Sequence, residues 1–209
     1  MAPVISDYDL SGWDRRRLGR IAELEQLAME MFAARGFSKV TVDEIAANAG
    51  VSARTLFRYF PVKEEILLGY VRRGTQTLVD EIAALAPDPD PIGSVWVVMR
   101  DRYRERRSPD AHDSNLWRDA AREAPEVVAR AIGERVRTLM DAVTEYCARS
   151  LGLDAATDPR PRLMAGPLVG LDEAMVEVIG RSSRNWDEVL ALGEQHVPRH
   201  TAGPRGEKR

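Results

Sequence analysis

Gly36-Phe-Ser-Lys-Val-Thr-Val-Asp-Glu-Ile-Ala-Ala-Asn-Ala-Gly50-Val-Ser-Ala-Arg-Thr-Leu-Phe-Arg-Tyr-Phe60-Pro-Val-Lys63 is the stretch on which the fold turns. Thr41 followed by Glu44 is a capping box, the start of a helix with Val42, Ile45, Ala46 and Ala49 on one face. Gly50 suits the turn that follows. Ser52 can cap a further short helix that points Leu56 and Phe60 inward, and Pro61 breaks it. Two short helices with a turn at Gly50–Val51 are the pattern of a helix-turn-helix. In that motif the second helix lies in the major groove of DNA, its N-terminal residues against base edges. Ser52, Ala53, Arg54, Thr55 and Arg58 then face DNA. Arg54 is the candidate base reader, since arginine can pair with guanine through two hydrogen bonds. Thr41, Tyr59 and Lys63 are better placed for phosphates, and Lys63 stands where a helix dipole favours an anion. Solvated polar faces of a plain helical bundle would explain each residue singly, but not the ordered string of caps, turn and basic-aromatic helix.

Outward from this stretch the chain reads as all-α, because apolar residues recur at three- and four-residue spacing almost throughout. Upstream, Ser11 with Asp14 can start a helix whose stripe is Leu18, Ile21, Leu24, Ala28, Met31 and Phe32, with Gly36 as its stop. Downstream, a long fourth helix carries Leu67, Tyr70, Val71, Leu78, Ile82 and Leu85. Three prolines in Ala86–Pro91 mark a linker. Further helices are expected around Gly93–Arg107, Ser114–Arg122, Pro125–Leu151, Arg162–Ile179 and from Asn185 to Pro198, about nine in all. The domain plan is a flexible arm over 1–14, a three-helix helix-turn-helix domain over 15–62, a larger helical domain over 63–197, and a basic disordered tail over 198–209.

Composition bounds the function. With 44% hydrophobic and 30% charged residues the chain reads as an ordinary globular protein. Its net charge of −3 is unevenly spread: residues 15–80 carry 11 Lys and Arg against 8 Asp and Glu, and Gly50–Lys63 holds Arg54, Arg58 and Lys63 with no acid. A local basic face suffices for DNA, because phosphate neutralisation is short-ranged and screened. The single cysteine, Cys147, excludes an intrachain disulfide framework. His112, His196 and His200 lack paired metal spacing, so neither metal nor cofactor is expected. Phosphate loops, zinc-protease motifs and nucleophile elbows are absent from the sequence, and no enzyme is expected. No apolar run reaches about 18 residues and the N-terminus does not read as a secretory signal. The expected location is the cytoplasm.

Phe32-Ala-Ala-Arg-Gly-Phe37, Thr41-Val-Asp-Glu-Ile-Ala46, Ala49-Gly-Val-Ser52 and Thr55-Leu-Phe-Arg-Tyr-Phe60 with Lys63 make residues 15–70 resemble the DNA-binding domain of the TetR family of bacterial regulators. Asp158-Pro-Arg-Pro-Arg-Leu-Met-Ala165 is a weaker match. The resemblance implies a homodimer on a palindromic operator, a repressor released when a small hydrophobic or amphipathic molecule fills the second domain. The link between ligand and DNA would be the fourth helix, from Tyr70 to Leu85. Two positions depart from the family. Val62 stands where a small hydroxyl or amide residue commonly caps the fourth helix, a loss of roughly 1 kcal/mol. Gly166-Pro167 interrupts the first of the two expected dimer helices, where proline either kinks the helix or becomes its first residue.

Trp96, Met99, Tyr103, Trp117, Met140, Val143 and Cys147 are the candidate ligand-pocket residues, since aromatics and methionines can line an adaptable apolar pocket. Taken one at a time these side chains read as plain core; it is the family resemblance that implies a cavity for the domain as a whole. In the family the last two helices form the dimer interface, which assigns Leu168, Leu171, Met175, Val178, Trp186, Val189 and Leu190 to it. The alternative function is an effector-independent dimeric DNA-binding protein whose second domain only dimerises. A redox role for Cys147 is disfavoured, because no second cysteine can resolve it.

Overall fold

The computed structural model describes residues 12–105, 112–181 and 186–197, and among them it has nine helices and no strand. In chain order these are α1 Gly12–Arg35, α2 Val42–Asn48, α3 Ala53–Tyr59, α4 Glu64–Ala84, α5 Pro91–Glu105, α6 His112–Ala121, α7 Pro125–Leu151, α8 Arg160–Arg181 and α9 Trp186–His196. The expected all-α chain with an N-terminal three-helix motif is what forms.

Local chemistry sets several boundaries. Gly36 (φ 92°) closes α1 and Gly50 (φ 65°) makes the turn after α2, conformations that cost other residues strain. At Gly36 a Cβ would also fall 2.3 Å from the Glu123 carboxylate. Pro91 opens α5, where its missing N–H is no loss, and Asp90 Oδ1 accepts the Gly93 N–H at 3.1 Å. α8 starts at Arg160 and runs through Gly166 and Pro167, so its start does not move to the proline. Pro167 has no N–H for the Leu163 carbonyl, but Leu163 is 71% exposed, and water can meet that oxygen.

The chain forms two compact units. One holds the described residues up to Gly74 together with those of Ala111–Ala131; the other holds those of Thr75–Asp110 and everything described from Ile132 on. The first core joins Leu24, Ala28 and Phe32 of α1, Ile45 of α2, Leu56 of α3, Ile66 and Leu67 of α4, and Ala120, Ala121, Ala124, Val127 and Ala131. Phe32 and Phe37 meet edge to face, ring centroids 4.9 Å apart. The second core joins Leu78 and Ile82 of α4, Trp96, Met99 and Tyr103 of α5, Leu139, Val143, Tyr146 and Cys147 of α7, Leu168 and Met175 of α8, and Leu190 of α9.

This division differs from a boundary at Lys63. α6 and the head of α7 belong to the first core, because alanines at 120, 121, 124 and 131 give them a smooth face, and α6 packs on α1. Two features of α1 also differ. Leu18, expected on the apolar stripe, is 50% exposed. Glu25 is buried on that stripe, paired with Arg73 of α4. Burial pushes the Glu25 carboxyl above its ordinary value, against the opposing pull of Arg73.

Candidate nucleic-acid interface

Thr41 Oγ1 accepts the Glu44 N–H at 3.2 Å, and Glu44 Oε2 accepts the Thr41 N–H at 2.8 Å, so the capping box is complete. The Thr41 N–H and then Arg35, whose guanidinium is 2.7 Å away, hold the Glu44 carboxyl down at about 2. Arg20 of α1 donates to the Ala49 carbonyl at 3.2 Å, satisfying the end of α2. Ser52 Oγ accepts the Thr55 N–H at 3.1 Å and lies 2.9 Å from Thr55 Oγ1, so α3 starts on a paired hydroxyl cap. Leu56 and Phe60 are buried, as their spacing implies.

That anchoring decides what α3 offers outward. Ser52, Arg54, Phe57 and Arg58 are exposed, and Ala53, Thr55 and Tyr59 are half-buried. Arg58 donates to the Tyr59 hydroxyl at 3.3 Å and lies over its ring, 5.1 Å from the centroid. The pair forms part of an open groove of about 570 Å³ whose other described lining residues are Arg16 and Arg17 of α1. Among the described lining residues, three arginines and a tyrosine with no acid make a surface for a polyanion. The sequence reading omitted Arg16, Arg17 and the exposed Phe57; the signal for the first two was the run Arg15-Arg16-Arg17 at the head of α1.

Lys63 does a different job from the one expected. Its ammonium donates to the carbonyls of Phe37 (2.8 Å) and Val40 (3.1 Å) and lies 4.2 Å from the Phe37 ring centroid. Two of its three donors are thus committed to the loop between α1 and α2, which leaves a positioning role. Thr41 is exposed, but its hydroxyl is occupied by the capping box. Val62 is 47% exposed, and α4 begins at Glu64 with two acids in its first turn.

The second-domain candidates divide. Trp96, Met99, Tyr103, Val143 and Cys147 are buried in the second core and Met140 packs against it. Trp117 belongs to the first unit: it stacks on Tyr70 at 6.1 Å between centroids and donates to the Leu67 carbonyl at 2.9 Å. Its place in a second-domain pocket is therefore corrected. Burial pushes the Cys147 thiol up to about 11, so it is not a ready thiolate. Tyr146, missed by the sequence reading, is buried and donates to the Ala86 carbonyl at 3.0 Å.

Leu168, Met175 and Leu190 are buried within the single chain, so they are core and leave no surface for a second copy to cover. Leu171 is half-buried, and the side chains of Val178, Trp186 and Val189 lie outside the described residues. Among the described residues of α8, the exposed ones are Arg160, Arg162, Leu163, Pro167, Gly170, Glu173 and Ala174. The arm up to Ser11, Arg107, Asn185 and the tail from Pro198 also lie outside the described residues. Among the described residues no acid, histidine or cysteine cluster could hold a metal, and no helix is long and apolar enough to cross a membrane.

Residues 26–70 match the family described as bacterial regulatory proteins, tetR family. Over 214 aligned residues the chain is 32% identical to the HTH-type transcriptional activator FasR of Mycolicibacterium smegmatis, covering 90% of this chain and 91% of that one. It is 25% identical to the HTH-type transcriptional regulator TcmR of Streptomyces glaucescens over 84% of this chain and 76% of that one. Among solved structures it resembles FadR of Thermus thermophilus, a TetR-family repressor in complex with lauroyl-CoA, with TM-score 0.56 and 26% identity over 89% of this chain and 100% of that one.

Proposed function

The chain belongs to the TetR family of bacterial transcriptional regulators, and from that premise we propose that it is a ligand-controlled homodimer that reads a palindromic operator through α3. The observation that carries the reading is the division of labour on α3. Leu56 is locked into the core and Ser52 caps the helix, so Arg54, Thr55 and Arg58 are held at fixed positions on a rigid element. Arg54 is the base reader, with Ser52, Ala53 and Thr55 beside it at the groove floor. Arg58 with Tyr59, joined by Arg16 and Arg17, grips the phosphate backbone, and Thr41 flanks it. Lys63 acts at one remove, by holding the loop that leads into α2. Two-fold symmetry would set two such helices about one DNA turn apart on a palindrome, in the cytoplasm where the operator lies.

The second domain carries no chemistry of its own; it binds a small effector and dimerises. The neighbour solved with lauroyl-CoA supports an effector, and α4, which carries both Leu67 of the first core and Leu78 of the second, supports a route from ligand to DNA. Repression follows from occupancy: a dimer covering a promoter excludes polymerase. The relative named as an activator marks the opposite outcome, which a reporter assay separates.

The test is a footprint of the full-length protein on the DNA flanking its gene, with a gel-shift titration across salt. The expected result is protection of a palindrome whose half-sites lie one helical turn apart, bound by a dimer, with affinity falling steeply as salt rises. Binding by a monomer, or to any DNA equally, would overturn the reading.

A further inference from the structure

The second core contains a buried ionic cluster. Arg135 of α7 is 6% exposed and Asp172 of α8 is 1% exposed. Arg135 donates Nε to Asp172 Oδ2 at 2.9 Å and Nη2 to Oδ1 at 2.8 Å, and Nη1 reaches Thr75 Oγ1 of α4 at 3.3 Å. Tyr103 of α5 donates its hydroxyl to the same carboxylate. Burial works against the charge on Arg135, but Asp172 more than offsets it, and the guanidinium stays charged. A well-packed apolar set is often as stable as such a cluster or more so, so core stability alone is a weak reason for it to be there.

Beside the cluster lies a cavity of about 10 Å³, lined among the described residues by Leu78, Met99, Arg102, Tyr103 and Arg135. Three of the five described lining residues, Arg102, Tyr103 and Arg135, carry hydrogen-bond donors. Neither carboxylate partner is among the described lining residues: Asp172 holds Arg135 through Nε and Nη2, and Glu81 holds Arg102 through bonds of 2.8 and 2.7 Å. The space is about one water in size. Donor-bearing side chains beside a space of that size match a small acceptor group within an otherwise apolar surround, and two arginines favour a negative one. Around it stand Leu78 and Met99, with Trp96, Val143 and Cys147 in the same core. A molecule seated there therefore has an apolar body, and Met99, unbranched and adaptable, is the side chain that can turn aside to admit it.

We propose that this cavity is the seat of the effector's head group, and that the effector is an apolar monocarboxylic acid whose carboxylate is bound by Arg102 and Arg135. This rests on the reading of the second domain as an effector domain and names the class of molecule. The carboxylate approaches the Nη1 side of each guanidinium, away from its own carboxylate partner, and enters a network that ties α4, α5, α7 and α8 together. Arg135 then shares its donors between Asp172 and the ligand, and its bond to Thr75 of α4 is the one the ligand competes with.

The experiment is calorimetric titration of the full-length protein with butyrate, octanoate and decanoate, each against the alcohol of the same chain length. At least one acid is expected to bind about tenfold or more tighter than its alcohol. Arg102→Gln, which leaves the Arg135–Asp172 pair in place, is expected to weaken that acid about tenfold, with Arg102→Lys recovering part of the loss and the alcohol unaffected. Melting curves establish that the variants are folded. Equal binding of acids and alcohols across the series, or an Arg102→Gln variant that binds the acid as wild type does, overturns the proposal. Gel shifts separate it from the broader reading. An acid that binds by these criteria without loosening the operator supports the site and sinks its role as effector site. A neutral molecule that releases the operator while no acid binds does the reverse.

Discussion

α3 and the α4–α5–α7–α8 cluster treat arginine in opposite ways. On α3, Arg54 and Arg58 stand in solvent on a helix held from beneath by Leu56. In the second unit Arg135 is buried and its charge is met by Asp172, Tyr103 and Thr75. An exposed guanidinium keeps its hydration until DNA replaces it, so it adds little to folding and much to binding. A buried one has given up its hydration on folding, and losing its partner exposes the full cost. Function and stability should therefore separate cleanly between the two regions.

The sharpest way to break that contrast is at the buried pair. Asp172→Leu alone is expected to lower unfolding stability by about 3–5 kcal/mol, because it leaves a buried guanidinium uncompensated. Combining it with Arg135→Met should return most of the loss. Denaturant titrations of both variants decide it, and a single variant within about 1 kcal/mol of wild type would erase the difference between the regions.

On the other side of the comparison, Arg54→Ala should cost about 1–3 kcal/mol of operator affinity, roughly five- to 150-fold, while the melting temperature stays put. Gel shifts and melting curves together test this, and unchanged affinity removes Arg54 from the site. Ser52→Ala lies between the extremes. It removes the cap of α3 and a hydroxyl at the groove floor, and a loss of about 1 kcal/mol in stability is expected together with weaker DNA binding.

The smallest effect concerns Glu25, the buried charge of the first unit. Its folded pKa lies above the unfolded value of 4.5, because burial outweighs Arg73. The folded state thus holds the proton more tightly, and this contribution to stability is present below the unfolded value and lost as pH rises through the folded one. Glu25→Gln should accordingly raise the melting temperature at pH 7.5, with the gain shrinking toward pH 4. A gain that is flat across that range would show that the titration of Glu25 does not matter to folding.

Much of the N-terminal motif was legible because its signals are local. Thr41 with Glu44, Gly50, Ser52 and Pro61 act within a few residues of chain, through caps and backbone conformation. Phe60 and Leu56 followed from spacing alone. Lys63 was misread because its partners, the carbonyls of Phe37 and Val40, are more than twenty residues away in sequence. Trp117 was misplaced for a similar reason: helical periodicity shows that a side chain faces a core and says nothing of which one. Leu168, Met175 and Leu190 carry the spacing of an interface helix and of a core helix alike, and burial alone tells them apart.

The chain's own order of residues determined the helices, their caps and the basic surface of α3, since these depend on neighbours along the backbone. Tertiary structure decided the rest. It assigned α6 to the first core through an alanine face, turned Lys63 from phosphate toward two carbonyls, and brought Arg102, Tyr103, Arg135 and Asp172 from three helices to one place. Burial and long-range pairing depend on which surfaces meet, and that is settled only when the whole set of helices has packed.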